Sequence, residues 1–310
     1  MAVITAKMVA DLRAQTGCGM MDCKKALVEA DGNFENAVKV LREKGLAKAD
    51  SKQSRIAAEG VVDIMLTDDK KTAVMIEVNT ETDFVAKNEK FQEFVKGLLR
   101  TILANKPADV EALGACKFDG TDDSVEVVLK EQIFKIGEKI SIRRFVIVEG
   151  TLATYIHGAG TMGVIVSFDT DVADKDGFAE YAKNIALQLA ANPCEYVDRN
   201  AVPQSVVDKE LEIIMGQIKN DPKNASKPEQ IIQKMAQGKL GKYYEEHCLV
   251  DQEYVKDDKM KVSAYTASVA KELGGSIAVK SFVIFTKGEG IEKREDNFAE
   301  EIANMVKGNN

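Results

Sequence analysis

A repeated order of strand and helix patterns most constrains what this chain can fold into. Residues 61–66 and 72–78 flank a polar turn at 68–70, which predicts a β-hairpin, and residues 140–148 predict a third strand after two helical segments. The same order returns later. A hairpin surrounds the turn at 158–160, helices follow over 178–189 and 262–273, and a strand follows over 276–285. We therefore predict an α+β core of two related halves with antiparallel sheets.

Fixed offsets make this repeat concrete. The strand residues Ile140, Ile142, Phe145 and Val146 match, at an offset of 137, Ile277, Val279, Phe282 and Val283. The hairpins match at an offset of only 90, since Ala73-Val74 corresponds to Gly163-Val164. The difference predicts an insertion in the second half.

The insertion falls within residues 195–248. Its apolar residues with the 4, 3, 4 spacing of a coiled-coil seam are Val207, Leu211, Ile214 and Ile218. A second helical run follows the turn at 220–225, so we predict a projecting coiled-coil hairpin. Self-association through this hairpin stays open.

The two ends of the chain are predicted to be helical. Residues 1–45 predict a three-helix bundle, with Gly17 ending the first helix and Gly45 ending the third, followed by a polar linker over 47–58. A short helix is predicted over 298–305. The predicted domains are 1–55 (bundle and linker), 56–150 (first core half), 151–194 with 249–290 (second core half), 195–248 (hairpin) and 291–310 (C-terminal helical module).

One motif places a carboxylate beside a large aromatic ring where a strand pattern turns into a helix. It comprises Thr82, Asp83, Phe84 and Val85. A protruding Asp-Phe pair suits a protein that pushes into a partner and disturbs a charged site there. The alternative is that Asp83 caps the helix and Phe84 packs in the core.

Three other places are candidate partner contacts. Met20 and Met21 next to Lys24 form an adaptable apolar patch with positive charge, or else the lip of the bundle core. The pair Ile136-Gly137 is predicted to end a helix. His157 sits at a hairpin turn, either as a plain surface histidine or as a partner contact.

The distribution of charge along the chain limits the classes of function that fit it. The net charge is −8, yet residues 1–55 hold ten Lys or Arg against seven Asp or Glu. Because the chain after residue 55 is acidic, nucleic-acid binding by the whole chain is not expected. The basic residues 1–55 alone could bind RNA or an acidic partner. An RNA-associated or ubiquitin-like adaptor is therefore the main alternative function. No run of 18 apolar residues predicts a membrane span, and the N-terminus lacks a secretory signal pattern.

The numbers and positions of the cysteines and histidines predict a protein without disulfides, a zinc site or a catalytic site. Five cysteines without a Cys-x-x-Cys pair are typical of reduced thiols in the cytoplasm, and two histidines make a zinc site improbable. No acid, base and nucleophile converge in the sequence, so we expect no enzyme, no cofactor and no small-molecule substrate. A metal-independent hydrolase is the weakest alternative.

Several motifs together resemble one family. Residues 12–27 (LRAQTGCGMMDCKKAL), 82–88 (TDFVAKN), 136–140 (IGEKI) and 288–293 (GEGIEK), with Arg143-Arg144 and His157-Gly158, are very similar to the bacterial-type elongation factor Ts family. The similarity covers nearly the whole chain. It implies a ubiquitin-associated-like (UBA-like) N-terminal bundle, two related α+β halves, a coiled-coil hairpin and a C-terminal helical module.

The resemblance also implies a function, which is guanine nucleotide exchange on elongation factor Tu during translation. By position, residues Thr82 to Val85 match the segment that intrudes beside the partner's magnesium site. Lys24 matches a basic contact, while Ile136, Gly137 and His157 match partner-binding positions. Mg²⁺ requires near-ideal octahedral geometry, so a small distortion there should weaken GDP binding strongly.

Overall fold

The computed structural model describes residues 2–224 and 227–292, without the side chains of 46–50. The chain opens with three helices, α1 (Ala6–Thr16), α2 (Met20–Glu29) and α3 (Phe34–Asp50). Their apolar faces enclose a small core around Leu12 and Leu27, both fully buried. The three predicted helices are confirmed.

The ends of α1 follow from side-chain chemistry. Thr5 precedes the helix with an extended backbone, and its hydroxyl accepts a hydrogen bond from the Met8 amide at 3.3 Å. Gly17 ends the helix at a φ of 70°, in the left-handed region that glycine enters without strain. The predicted end of the first helix at Gly17 is confirmed.

The first core half is a sheet covered by helices. The sheet comprises β1 (Glu59–Leu66), β2 (Thr72–Thr80) and β3 (Ile140–Glu149), all antiparallel with β2 in the centre. Between β2 and β3 lie α4 (Asp83–Ala86), α5 (Glu89–Asn105), α6 (Val110–Ala115) and α7 (Val125–Ile136). The apolar stripe of α5, with Phe91 and Leu98 fully buried, forms the core with β2.

The second core half repeats this plan with an insertion. It runs through β4 (Thr151–His157), β5 (Met162–Thr170), α8 (Phe178–Ala191), α9 (Gln204–Asn220), α10 (Glu229–His247), β6 (Glu253–Tyr254), β7 (Asp257–Lys261), α11 (Val262–Leu273) and β8 (Ile277–Thr286). Strands β4, β5 and β8 form the second antiparallel sheet, with β5 in the centre.

The predicted repeat is confirmed in detail. Strands β2 and β5 have equal lengths at an offset of 90, and the helix–strand pairs α7–β3 and α11–β8 match at an offset of 137. Even an irregularity repeats. The pairing of β2 with β3 shifts register between Glu77 and Val78, and the pairing of β5 with β8 shifts between Ser167 and Phe168, again 90 residues later.

The insertion contains the two predicted helices packed on each other. Buried residues of α9 and α10 form a separate apolar cluster, comprising Ile214, Ile218, Ile232, Ala236 and Leu240. All four predicted seam residues of α9 belong to this cluster or pack against it, since Ile214 and Ile218 are buried in it and Val207 and Leu211 are partly buried beside it. The two-stranded unit β6–β7 that follows was not predicted.

The third helix of the bundle corrects a prediction. Gly45 was expected to end α3 and residues 47–58 to form a linker, but α3 continues to Asp50. A Cβ atom at Gly45 would lie 3.1 Å from the ring of Phe134 on α7. The glycine therefore permits close approach of α3 to α7 rather than a stop. Arg42 of α3 strengthens this junction through ion pairs with Asp123 and, at 3.0 Å, Glu131.

The two sheets share a buried interface that ends in a charged network. The apolar cluster between them comprises Val62, Ala73, Met75, Leu152, Ile165 and Phe285. Beside it the fully buried Glu77 carboxylate accepts hydrogen bonds from Arg143 (2.9 Å), Arg144 (2.7 Å) and the Gly288 amide (2.8 Å). Burial raises the pKa of Glu77, but these hydrogen bonds outweigh burial and hold the pKa below its ordinary value.

The helix predicted over 298–305 lies outside the described residues, as does most of the predicted 291–310 module. Over the described ranges, no helix combines the length and apolarity needed to cross a bilayer.

Candidate partner-binding surface

The residues Thr82, Asp83, Phe84 and Val85, here called the tip, form one helical turn between β2 and α5. Thr82 has an extended backbone (φ −127°, ψ 155°), and its hydroxyl accepts a hydrogen bond from the Val85 amide at 3.4 Å. Thr82 is therefore the cap of α4, and the alternative that Asp83 is the cap is wrong.

Phe84 projects into solvent. Its exposed fraction is 82%, so the alternative that it packs in the core is wrong. The turn itself is anchored, because Ala86 is buried and Val85 packs partly against the core of the first half. An aromatic ring of this size on an anchored turn is a marked exception to the burial of large apolar side chains.

Asp83 carries its charge beside this ring. The Lys87 ammonium, one turn later, donates to the Asp83 carboxylate at 2.6 Å. This hydrogen bond lowers the pKa of Asp83 below its ordinary value, so the carboxylate is ionised at neutral pH. The tip thus presents an ionised carboxylate, paired with Lys87, next to an exposed aromatic ring.

A distant segment holds the base of the tip. Glu138, between α7 and β3, accepts hydrogen bonds from both the amide (3.0 Å) and the hydroxyl (2.7 Å) of Thr82. In return, the neighbouring Glu81 accepts from the Lys139 amide at 2.6 Å. Glu138 was not a predicted site residue. Its only sequence signal was its place in the IGEKI motif.

Ile136 and Gly137 shape the segment that carries Glu138. Ile136 is the last residue of α7 and packs partly against the first core, and Gly137 follows with a φ of 88°. The Gly137 amide donates to the Ile133 carbonyl at 3.0 Å, so the predicted C-terminal cap is confirmed.

Two clefts border the tip. One, of about 800 Å³, separates the core from the end of α1 and is lined by Gln15, Thr16, Val85, Lys90 and Ile136. The other, of about 380 Å³, lies between Asp83 with Lys87 on one side and the β4–β5 turn on the other. The tip is therefore flanked by the bundle and by the second core half.

His157 ends β4 at this same turn. It is exposed, and its Nδ1 atom lies 3.2 Å from the Tyr155 hydroxyl. The turn is fixed to the first sheet, because the Val62 amide donates to the Gly160 carbonyl at 2.8 Å. The structure thus brings the turn next to the tip, although His157 itself does not line the smaller cleft.

Met20, Met21 and Lys24 lie on the first turns of α2. The exposed fractions of the two methionines are 54% and 62%, and neither belongs to the buried bundle core. The alternative that they form the lip of that core is not supported. Lys24 is also exposed. These residues line neither cleft at the tip.

Comparisons with known proteins address the whole chain. A family model described as "Elongation factor TS" matches residues 81–289. An elongation factor Ts from Syntrophotalea carbinolica is 45% identical over 307 residues, covering 98% of this chain and 99% of the relative. The chain belongs to the elongation factor Ts family.

Two more relatives agree with this assignment. Elongation factor Ts from Clostridioides difficile is 46% identical, covering 99% of this chain and 100% of the relative. The Symbiobacterium thermophilum protein of the same name is also 46% identical, with 97% and 98% covered. The family named from the motifs is confirmed, and membership makes the chain a translation elongation factor.

Proposed function

We propose that this chain is a guanine nucleotide exchange factor for elongation factor Tu and that the tip carries out the exchange. The observation behind this proposal is the 82% exposure of Phe84 on a turn that the core anchors. Exposing such a ring costs free energy of folding, which a binding role would recover when a partner buries it.

The tip would act on the partner's GDP site by geometry and charge. Phe84 inserts into the nucleotide domain, and the ionised Asp83 adds a negative charge near the magnesium and phosphates. Because Mg²⁺ tolerates little distortion of its octahedral shell, this insertion weakens its hold on GDP. By reciprocity, a factor that prefers the empty partner lowers GDP affinity by the same coupling factor, and GTP then rebinds.

Other surfaces would hold the tip in register. We assign partner contacts to Met20, Met21 and Lys24 on the bundle, and to the Ile136-Gly137 pair and His157 on the core. Two supporting observations are the exposure of both methionines and the position of the β4–β5 turn beside the tip. A cytoplasmic location, the predicted domain limits, the UBA-like bundle and the coiled-coil geometry belong to the same proposal.

Release of a fluorescent GDP analogue from elongation factor Tu tests the proposal. Phe84→Ala removes a buried aromatic anchor from the complex, and such truncations cost about 2 kcal/mol or more, so release should slow about 30-fold. Asp83→Ala should slow release less. The matched control is Val255→Ala, an apolar side chain 48% exposed on the β6–β7 turn.

Full acceleration by both tip variants would reject the role of the tip. Steeply salt-dependent RNA binding, without any effect on GDP release by the wild-type chain, would instead favour the RNA-associated adaptor.

A further inference from the structure

The hydrogen bonds at Thr82 have a direction. The Thr82 hydroxyl has one proton, and the Glu138 carboxylate at 2.7 Å can only accept it. The hydroxyl oxygen is then free to accept from the Val85 amide, which lies at 3.4 Å. Glu138 thus orients the Thr82 hydroxyl so that its oxygen can cap α4. The second carboxylate oxygen of Glu138 accepts a hydrogen bond from the Thr82 amide.

The repeat provides an internal comparison for this contact. At the offsets of 90 and 137, Glu81 corresponds to Asp171 and Lys139 to Ser276. The Asp171 carboxylate accepts from the Ser276 amide at 2.7 Å, just as Glu81 accepts from the Lys139 amide at 2.6 Å. This carboxylate bridge is therefore common to both halves, and the fold uses it at both corners.

The contact next to it differs between the halves. Thr82 corresponds to Val172 and Glu138 to Gly275. Val172 is buried, and a Cβ atom at Gly275 would lie 2.3 Å from its side chain. The second corner is therefore closed by an apolar side chain packed on a glycine. Only the first corner, which carries the exposed Phe84, replaces that packing with a carboxylate and a threonine.

Hydrogen bonds of its neighbours hold Glu138 in place. The Lys139 ammonium donates to the carbonyls of Gln53 and Arg55 at 2.7 and 2.8 Å, and the Lys139 amide donates to Glu81. On the other side, the left-handed Gly137 fixes the end of α7. The Glu138 carboxylate consequently approaches the tip from a segment that is tied down at both ends.

We propose that Glu138 is a positioning residue that sets the orientation of the tip before a partner arrives. This role rests on the proposed function of Phe84. It makes Glu138 the group that keeps Phe84 and Asp83 in their binding geometry. Ordering the tip in advance removes an entropic cost of association. The second half needs no such device, since its corner presents no large apolar side chain.

Two measurements test this role separately. In the free protein, Glu138→Ala should raise the hydrogen-exchange rate of the Val85 amide, about tenfold, because the hydroxyl that accepts from it loses its orientation. In the exchange assay with elongation factor Tu, Glu138→Ala should slow GDP release about tenfold. In a Phe84→Ala background, Glu138→Ala should slow release by much less than tenfold, because only Asp83 is left for it to position.

Matched variants isolate the hydrogen bonds from general damage. Thr82→Val removes the hydroxyl at nearly constant volume and should resemble Glu138→Ala, whereas Thr82→Ser keeps the hydroxyl and should resemble the wild type. Glu126→Ala removes a carboxylate from the first turn of α7, paired with Lys130 at 2.9 Å, and should change neither measurement. The double variant Thr82→Val with Glu138→Gly copies the second corner. It should fold and lose acceleration.

Each outcome decides a specific claim. Unchanged exchange of the Val85 amide in Glu138→Ala overturns the positioning role. Slow release with Phe84→Ala together with full acceleration by Glu138→Ala also overturns it. So does a tenfold slowing of release by Glu138→Ala in the Phe84→Ala background, equal to its effect in the wild type. Full acceleration with both Phe84→Ala and Asp83→Ala overturns the proposed role of the tip instead, and the Val85 amide then decides the role of Glu138 alone.

Discussion

At the tip, four consecutive residues have four different surroundings, and one turn of helix explains the difference. Successive side chains of a helix point about 100° apart, so Val85 meets the core while Phe84 faces water. Thr82 turns back toward Glu138, and Asp83 pairs with Lys87. The motif could be recognised from the sequence. The exposure of Phe84 could not, because an aromatic residue at such a corner fits a core equally well.

Gly137 allows a prediction at the scale of one residue. Its φ of 88° is unfavourable for any residue with a Cβ atom, although no atom lies within 4 Å of the place such a Cβ would occupy. Gly137→Ala should therefore lower the free energy of unfolding by about 1–2 kcal/mol through backbone strain alone. Urea unfolding measures this change.

Gly114 is the matched control for this substitution. It lies inside α6 and also has open space around it, but its backbone is not in the left-handed region. Gly114→Ala should leave stability unchanged or raise it by up to about 1 kcal/mol. Equal effects of the two substitutions would contradict the strain argument.

At the scale of elements, periodicity predicted the long helices and the paired strands. The helix predicted over 262–273 and the hairpin around 158–160 are confirmed. Both could be predicted because their sequences are amphipathic and because turn residues lie at their ends. The short α6 and the β6–β7 unit were missed, since so few residues show no period. The continuation of α3 past Gly45 was also missed, because Phe134, which meets that glycine, lies far away in sequence.

The helical hairpin formed by α9 and α10 provides a prediction at this scale. Ile218 is almost fully buried between the two helices, whereas Ile213 on the same helix is 45% exposed. Ile218→Ala should destabilise the hairpin by about 3 kcal/mol, and Ile213→Ala should change its stability by less than about 1 kcal/mol.

Amide hydrogen exchange distinguishes this local effect from global unfolding. With Ile218→Ala, the amides of α9 and α10 should exchange faster, while those of α5 in the first core should keep their protection. Equal loss of protection in α5 would show that the hairpin and the core unfold as one unit.

For the whole molecule, Glu77 connects the two halves and makes stability depend on pH. Its pKa is lowered in the folded protein, so its contribution is present above the ordinary value of 4.5 and is lost as pH falls through the folded pKa. Glu77→Gln should cost about 3 kcal/mol at neutral pH, because Arg143 and Arg144 lose their shared carboxylate.

Unfolding by urea across pH measures this contribution. The difference in stability between the wild type and Glu77→Gln should be constant above about pH 5 and should shrink below about pH 4. The exposed, ion-paired Glu126 supplies the control, since Glu126→Gln should cost less than about 1 kcal/mol. A difference that stays constant into acid would contradict the assignment.

Glu77 and one of its partners, the Gly288 amide, lie far apart in the chain, and this separation affects synthesis. Its carboxylate lies in the second strand, while the Gly288 amide that it binds is 211 residues later. Lys287 likewise pairs with Glu59, 228 residues earlier. While the ribosome is still extending the chain, the first sheet can close as soon as β3 has emerged, yet its buried carboxylate must wait for Gly288, which follows the last strand of the second sheet. A translation factor of this design completes the core of its first half only after its second half has been translated.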